Sequence, residues 1–304
     1  MFAYKMKPAY RHGTDTPWGG DALRRLFGKD IPDDHTGEAL EASTLPGLES
    51  VAEDGRTLTD IAGGPLPLLL KLLDAREPLS VQVHPGDTYA AAYEHGKLGK
   101  TEAWLILHAE PGAKLVYGLT PGTDVRRLSG KELESHLRWI QVQAGDVLYI
   151  PAGMVHAIGA GILLYEIQQS SDVTYRFWDW ERRDKTGSPR PLHWEKACDV
   201  ARADLQLYPT RGEIIPCSGG QIIQYLNTEH FSLTRLHAEG SMSLPPCAGF
   251  QFLTALEAGR LTCGKDSVSF VPGDTLYLPA DTEGVSLEGP CEVLVSAAPT
   301  AARP

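Results

Sequence analysis

The string Ala144-Gly145-Asp146-Val147-Leu148-Tyr149-Ile150-Pro151-Ala152 returns almost unchanged as Pro272-Gly273-Asp274-Thr275-Leu276-Tyr277-Leu278-Pro279-Ala280. The offset is 272 − 144 = 128 residues. A Gly-Asp turn, a short apolar strand and a proline corner used twice point to two related β-barrels in one chain. The 304 residues are enough for two domains, and 31 glycines with 22 prolines favour many tight turns and short strands over long helices. The expected architecture is mainly β, with residues 1–205 as the functional barrel plus N-terminal and helical additions and residues 206–304 as a degenerate second barrel. The copy is incomplete at one place: 156 + 128 = 284, so His156 is answered by Gly284.

Strands are expected over residues 66–73, 79–83, 102–107, 115–117 and 161–170. Short helices are expected within 15–27, over 88–95, over 129–137 with Ser129 and Glu132 as a capping box, and over 194–211 as a link between the halves. Residues 297–304 read as a tail. A net charge of −11 without a Lys/Arg run excludes a nucleic-acid surface. No apolar run reaches membrane-span length, since Pro67 and Lys71 interrupt the longest. The N-terminus lacks an apolar signal core, and the five cysteines (Cys198, Cys217, Cys247, Cys263, Cys291) are odd in number with no CxxC pair. Both features suit reduced thiols and a cytoplasmic location.

Side-chain parity then selects a chemistry. In Leu79-Ser80-Val81-Gln82-Val83-His84-Pro85, period two places Ser80, Gln82 and His84 on one face of a strand. From Lys100 onward, Lys100, Glu102, Trp104 and Ile106 share a face, as do Leu164, Glu166 and Gln168 further on. If these faces line one barrel interior, His84, Glu102 and His156 converge, with Gln82, Lys100 and Glu166 beside them. Two histidines and a carboxylate with open positions suit a metal ion, which would keep Glu102 ionised inside a barrel. Each piece has a plainer reading: a hydrogen-bonded structural histidine, a solvated Lys-Thr-Glu strand end, a buried Ser80 hydroxyl. Glu166 is harder to dismiss, because Leu164, Tyr165 and Ile167 around it read as buried.

These motifs carry a family resemblance. Gln82-Val83-His84-Pro85, Gly99-Lys100-Thr101-Glu102-Ala103-Trp104, Pro151-Ala152-Gly153-Met154-Val155-His156-Ala157-Ile158-Gly159 and Ser171-Asp172-Val173-Thr174-Tyr175-Arg176 resemble the type I mannose-6-phosphate isomerases in their short bacterial form. Trp18-Gly19-Gly20 and Gly37-Glu38-Ala39-Leu40-Glu41-Ala42-Ser43 extend the likeness, which covers roughly the first 200 residues; Leu40 and Gly86 depart from it, where tryptophan and aspartate are commoner. The resemblance implies two cupin-type (jelly-roll) barrels and one zinc ion (Zn2+) per chain on His84, Glu102 and His156. Gln82 is a fourth ligand in longer relatives, and the active-site arginine falls on Arg176.

An aldose–ketose isomerase moves a proton between C1 and C2 of a sugar phosphate through an enediol. It needs a Lewis acid, an acid/base and a cation for the developing oxyanion. Zinc supplies the first. Lys100 and Glu166 are the acid/base candidates, Glu166 because burial raises a carboxyl pKa, Lys100 because zinc and desolvation lower that of an amine. Arg176 suits the enediolate or the phosphate; its plainer reading is a salt bridge to Asp172, Asp179 or Glu181. Ser80 and Gln82 are expected to touch substrate. The expected partner is a small-molecule sugar phosphate, with the protein a monomer or weak homodimer. Two other readings stand: an iron(II) dioxygenase on the same barrel, or a non-catalytic sugar-phosphate-binding protein.

Overall fold

A computed structural model describes residues 2–245, 249–280 and 282–299, so Cys247 lies outside the described residues. Four sheets make up two barrels. The first barrel's large sheet runs, in spatial order, Val147–Ile150, Glu102–Ala109, Ile162–Gln169, Leu68–Ala75, Glu38–Ala42, Ala9–Arg11. Its small sheet runs Tyr175–Trp178, Val81–Val83, His156–Ala157, Lys114–Leu119, Leu137–Gln141. In the second barrel the corresponding large sheet is Thr275–Leu278, Gln251–Ala255, Cys291–Ala297, Ser232–Ala238, Gly220–Asn227, Glu213–Cys217. The small one is Ser241–Ser243, Val285–Glu288, Gly259–Cys263, Asp266–Phe270. Apart from Tyr175–Trp178 and two N-terminal strands, the spatial order is the same strand for strand.

The repeated string is the same turn twice. Gly145 (φ +90°) donates its N–H to the Ile106 carbonyl at 2.9 Å, and Gly273 (φ +86°) to that of Ala255 at 2.8 Å. Asp146 and Asp274 each accept the N–H three residues back, from Gln143 (2.9 Å) and Val271 (2.8 Å). The positive φ is the reason for glycine, and the aspartate closes the turn. The strand Tyr4–Lys7 pairs with Thr275–Leu278 of the second barrel (Tyr4 opposite Tyr277), so the first residues of the chain cross the division expected at 205/206.

Parity sorts the side chains as expected. Trp104, Ile106, Leu148 and Leu164 fill the first barrel, while Ala103, Leu105, Tyr165 and Ile167 face out and meet Leu233, Phe252 and Leu294 of the second barrel. The Tyr165 hydroxyl is 2.8 Å from Ser296 Oγ at this seam. The second barrel is filled by apolar side chains such as Leu253, Leu276, Leu287 and Val293.

Several expected elements shift. The helix expected within 15–27 is only Ala22–Phe27, and that over 88–95 is Asp87–Tyr93. Residues 129–137 hold a 3₁₀ turn, Glu132–His136, with Glu132 accepting from Ser129 N–H (2.8 Å) and Oγ (2.9 Å). The link over 194–211 is helical only at Trp194–Val200. Beyond it, the first barrel's own backbone captures the chain: Arg202 N–H bonds the Gly153 carbonyl (2.8 Å), and Val147 and Thr210 exchange hydrogen bonds. Ala297, read as tail, ends the strand Cys291–Ala297, and residues 300–304 lie outside the described residues. The strand read at 66–73 starts at Leu68 and runs to Ala75, following the Ile162–Gln169 register. No described helix is long and apolar enough to cross a membrane.

Candidate active site

Backbone hydrogen bonds tie the sequence motifs into one assembly. Lys100 N–H bonds the Pro85 carbonyl (2.9 Å), and Gly153 N–H bonds that of His84 (2.8 Å). His84 Nδ1–H donates to the Val173 carbonyl at 2.9 Å. Gly99 makes the first contact possible. A Cβ there would stand 2.5 Å from Asp87 N and 2.8 Å from the Pro85 carbonyl oxygen, inside any real carbon contact. At the pocket rim, a Cβ on Gly37 would fall 2.6 Å from the Trp18 ring, so glycine lets that indole pack into the wall.

His84, Glu102 and His156 come together as expected: their ligand atoms all lie within 4.8 Å of one another, and all three side chains are buried. His156 Nε2 is 3.3 Å from Glu102 Oε1, and His84 Nε2 is 3.6 Å from Oε2. Each imidazole spends Nδ1–H on a backbone carbonyl, His84 on Val173 (2.9 Å) and His156 on Met154 (2.8 Å), so each Nε2 lone pair faces the other donors. Burial, then the nearby Lys100 charge, holds the His84 imidazole well below its ordinary value. Burial, offset by the Met154 carbonyl and reinforced by Lys100, takes His156 to about 4. Both rings are neutral at pH 7. Burial pushes Glu102 up to about 7, against the pull of Lys100 and with the push of Glu166.

This donor set fits a divalent cation. Glu102 Oε1 and His156 Nε2 are buried with no hydrogen-bond partner, which is costly in a folded interior. The site also already draws a cation: Lys100 Nζ stands 2.6 Å from Glu102 Oε2 and 3.1 Å from His84 Nε2. Neutral nitrogen and carboxylate oxygen are ligands for zinc, iron or manganese rather than for a thiophilic ion.

Lys100 stands between the three ligands and a cavity of about 290 Å³, whose lining includes Ser80, Gln82, Lys100, Glu166 and Arg176. Gln82 forms no side-chain hydrogen bond among the described residues. One expectation fails. Burial was to raise the Glu166 carboxyl, and burial does push it up. Lys71 at 3.1 Å, the Lys100 charge and the Trp104 indole N–H at 2.9 Å outweigh that push and hold it at about 2. Glu166 is a fixed anion. Among the described residues Arg176 forms no salt bridge, so its plainer reading is not realised. Asp172 pairs with Lys97 (2.7 Å), while Asp179 pairs with Arg182 (2.9 Å) and Arg190 (2.7 Å). Arg176 instead donates Nε to Ser80 Oγ (3.3 Å) and Nη1 to the Pro191 carbonyl (2.8 Å).

Sequence reasoning missed Lys71, Arg11 and Arg190, which also line the cavity. Lys71 had a readable signal, a charge inside the apolar run 68–73, the same signal that singled out Glu166. Arg11 and Arg190 had none, because they lie on a three-residue strand and a loop with no period to read.

Comparison with known proteins agrees with this geometry. The family model "Phosphomannose isomerase type I, catalytic domain" matches residues 40–103, the span holding His84, Lys100 and Glu102. Mannose-6-phosphate isomerase ManA of Bacillus subtilis is 36% identical over 314 residues, covering 95% of this chain and 97% of its own. The crystal structure of the mannose 6-phosphate isomerase from Bacillus subtilis superposes with a TM-score of 0.90 at 32% identity, covering 98% of this chain and all of that one. A more distant mannose 6-phosphate isomerase, solved with zinc and yttrium, shares the fold at a TM-score of 0.77 and 14% identity, covering 99% of this chain and all of that one. With the donor set, the cavity and the likeness along nearly its whole length in agreement, the chain belongs to the type I mannose-6-phosphate isomerase family.

Proposed function

We propose that the protein interconverts mannose 6-phosphate and fructose 6-phosphate by moving a proton between C1 and C2, with one zinc ion on His84, Glu102 and His156. The single observation that carries this is the buried His84–Glu102–His156 set lying directly behind a polar cavity of a family member. When bound, the metal supplies a Lewis acid for the sugar's carbonyl and hydroxyl oxygens. Zinc is favoured by the His/His/carboxylate donors, which leave positions free for substrate.

The chain's own groups supply the rest. Lys100 both lines the cavity and reaches the ligand atoms, so its Nζ is placed to hand a proton between neighbouring carbons. Glu166, held at about 2, has too little proton affinity to serve well as a base near neutrality; it acts as the fixed anion that orients Trp104 and Lys71. Arg176, free of any carboxylate, carries a permanent charge to the oxyanion that develops as the enediol forms. Gln82 lies between it and the ligands on one strand face, and Ser80 stands beside Arg176 at the far end. The second barrel, with the neutral Gln251 in the sheet register of Glu102 and Gly284 in place of His156, is proposed to hold no metal and to buttress the first.

A coupled assay on mannose 6-phosphate, with metal-loaded and chelator-treated protein, tests the proposal. Turnover that is lost with chelator and restored by zinc is expected. No turnover by zinc-loaded protein, or oxygen consumption with iron bound, would overturn it in favour of a binding protein or a dioxygenase.

A further inference from the structure

The cavity's end remote from the metal ligands holds more positive charge than the structure there neutralises. Three arginines stand there, Arg176, Arg182 and Arg190; the last two share the buried carboxylate of Asp179, Arg182 also lies 3.9 Å from the half-exposed Glu77, and Arg176 forms no salt bridge among the described residues. The remaining acids lining the cavity are engaged or solvated: Glu38 with Arg11 and Lys71, Glu166 with Lys71, Asp172 with Lys97, and Asp15 exposed at the rim.

Arg190 is the least explained of the three. It points into the cavity, yet its Nε and Nη2 both bond Asp179, each at 2.7 Å. A guanidinium has five N–H groups, so this two-point grip leaves others aimed elsewhere in a fixed plane. Arg176 is fixed from the same loop, through the Pro191 carbonyl. Burial, and next the charge of Arg190, lower the Arg176 pKa, which marks the two cations as close neighbours.

The loop is built to hold this arrangement. Directly after Asp179, Trp180 (φ 55°) and Glu181 (φ 57°) both adopt left-handed backbone, which is unfavourable for side-chain-bearing residues. The Trp180 indole holds the turn in place, donating to the Leu79 carbonyl at 2.7 Å and packing on Trp139. Asp179 also takes Arg182, whose Nη2 reaches the Pro78 carbonyl at 2.7 Å. Both anchoring carbonyls lie just before Ser80, so the loop is clamped to the strand that carries Ser80, Gln82 and His84.

That strand works as a ruler. Ser80 and His84 are four residues apart, about 13 Å at the usual rise of an extended chain. This is comparable with the reach of an open six-carbon sugar from a metal-bound carbonyl end to a phosphate on its sixth carbon. We infer that Arg190, positioned by Asp179, is a specificity residue that binds the phosphate group of the substrate beside Ser80, leaving Arg176 to the developing oxyanion. The inference takes only the sugar's identity from the proposed function; the anion site itself stands on the unbalanced arginines.

Two measurements test it, both on the full-length, metal-loaded protein. Calorimetric titration with inorganic phosphate reads the anion site without turnover, and steady-state kinetics on mannose 6-phosphate separates KM from kcat. Loss of one charge-assisted contact should weaken binding on the order of 10- to 100-fold. Arg190→Ala should therefore weaken phosphate binding by that order, with most of the loss in kcat/KM carried by KM. Arg190→Lys should recover part of it, since charge returns without the planar fork. Asp179→Asn, which removes the grip and keeps the shape, should show a smaller effect of the same kind. Phosphate bound by wild type and lost in Arg190→Ala supports the site even if mannose 6-phosphate is not turned over, which would count against the proposed reaction alone. Unchanged phosphate affinity in Arg190→Ala overturns the inference. So does a fall in kcat with KM unchanged, which would place Arg190 in the chemical step.

Discussion

Lys71→Met tests the buried charge ladder under the cavity. The Lys71 ammonium lies 3.4 Å from Glu38 and 3.1 Å from Glu166, and all three side chains are nearly sealed from solvent. Methionine keeps much of the length and removes the charge, leaving two buried carboxylates without their shared partner. Breaking a buried pair in this way costs about 3–5 kcal/mol, against a total stability of about 5–15 kcal/mol for a typical protein. At roughly 2–4 °C per kcal/mol, the melting temperature should fall by about 10 °C. The pH dependence is the sharper test. Glu166 is held at about 2, below its ordinary 4.5, so its contribution is present above about pH 4.5 and lost as pH falls toward 2. Without Lys71 the largest counterweight to burial is gone and the carboxyl rises, so its ionised form is stabilised less at neutral pH, a loss that protonation relieves. The gap in melting temperature between wild type and variant should be widest near pH 7 and narrow by pH 4. Scanning calorimetry of both proteins in excess chelator, across that range, measures it without metal linkage. Adding Glu166→Gln should restore much of the loss at pH 7. A gap under about 2 °C, or one that does not change with pH, would refute the ladder as a structural element.

Elemental analysis should find one equivalent of metal per chain, lost in His84→Ala, His156→Ala and Glu102→Gln; a second equivalent would contradict the proposed role of the second barrel. Metal affinity should fall about tenfold per pH unit below about 7, because Glu102 must lose its proton while both imidazoles are already neutral; a slope of two or three, read by competition titration, would show that the histidines still titrate there. Arg176→Ala should keep metal and fold, since no carboxylate depends on it, and lose about a hundred- to a thousand-fold in kcat. A loss confined to KM would make Arg176 a phosphate anchor only.

What depends on local pattern was legible in the chain. A turn that needs a left-handed glycine and a closing aspartate writes itself into the chain, so the recurrence at residues 144 and 272 announced two barrels before any strand was paired. Parity did the same for the site: once Gln82, Lys100 and Glu166 were put on strands, period two sent them into the same barrel as His84, Glu102 and His156. What depends on distance between segments far apart in sequence came only with folding. Burial alone raises the Glu166 carboxyl; Lys71, 3.1 Å away on the neighbouring strand, reverses the sign together with Lys100 and Trp104. The plainer reading of Arg176, as the partner of a nearby acid, fails because Asp179 is taken by Arg182 and Arg190 and Asp172 by Lys97. The helix read through residues 194–211 stops at Val200 because hydrogen bonds from the first barrel compete for that backbone. Periodicity reports which way a side chain points. Its charge state and its partner are set by whatever folding brings to within a few ångströms, because electrostatic energies in a low-dielectric interior are governed by separation in space rather than along the chain.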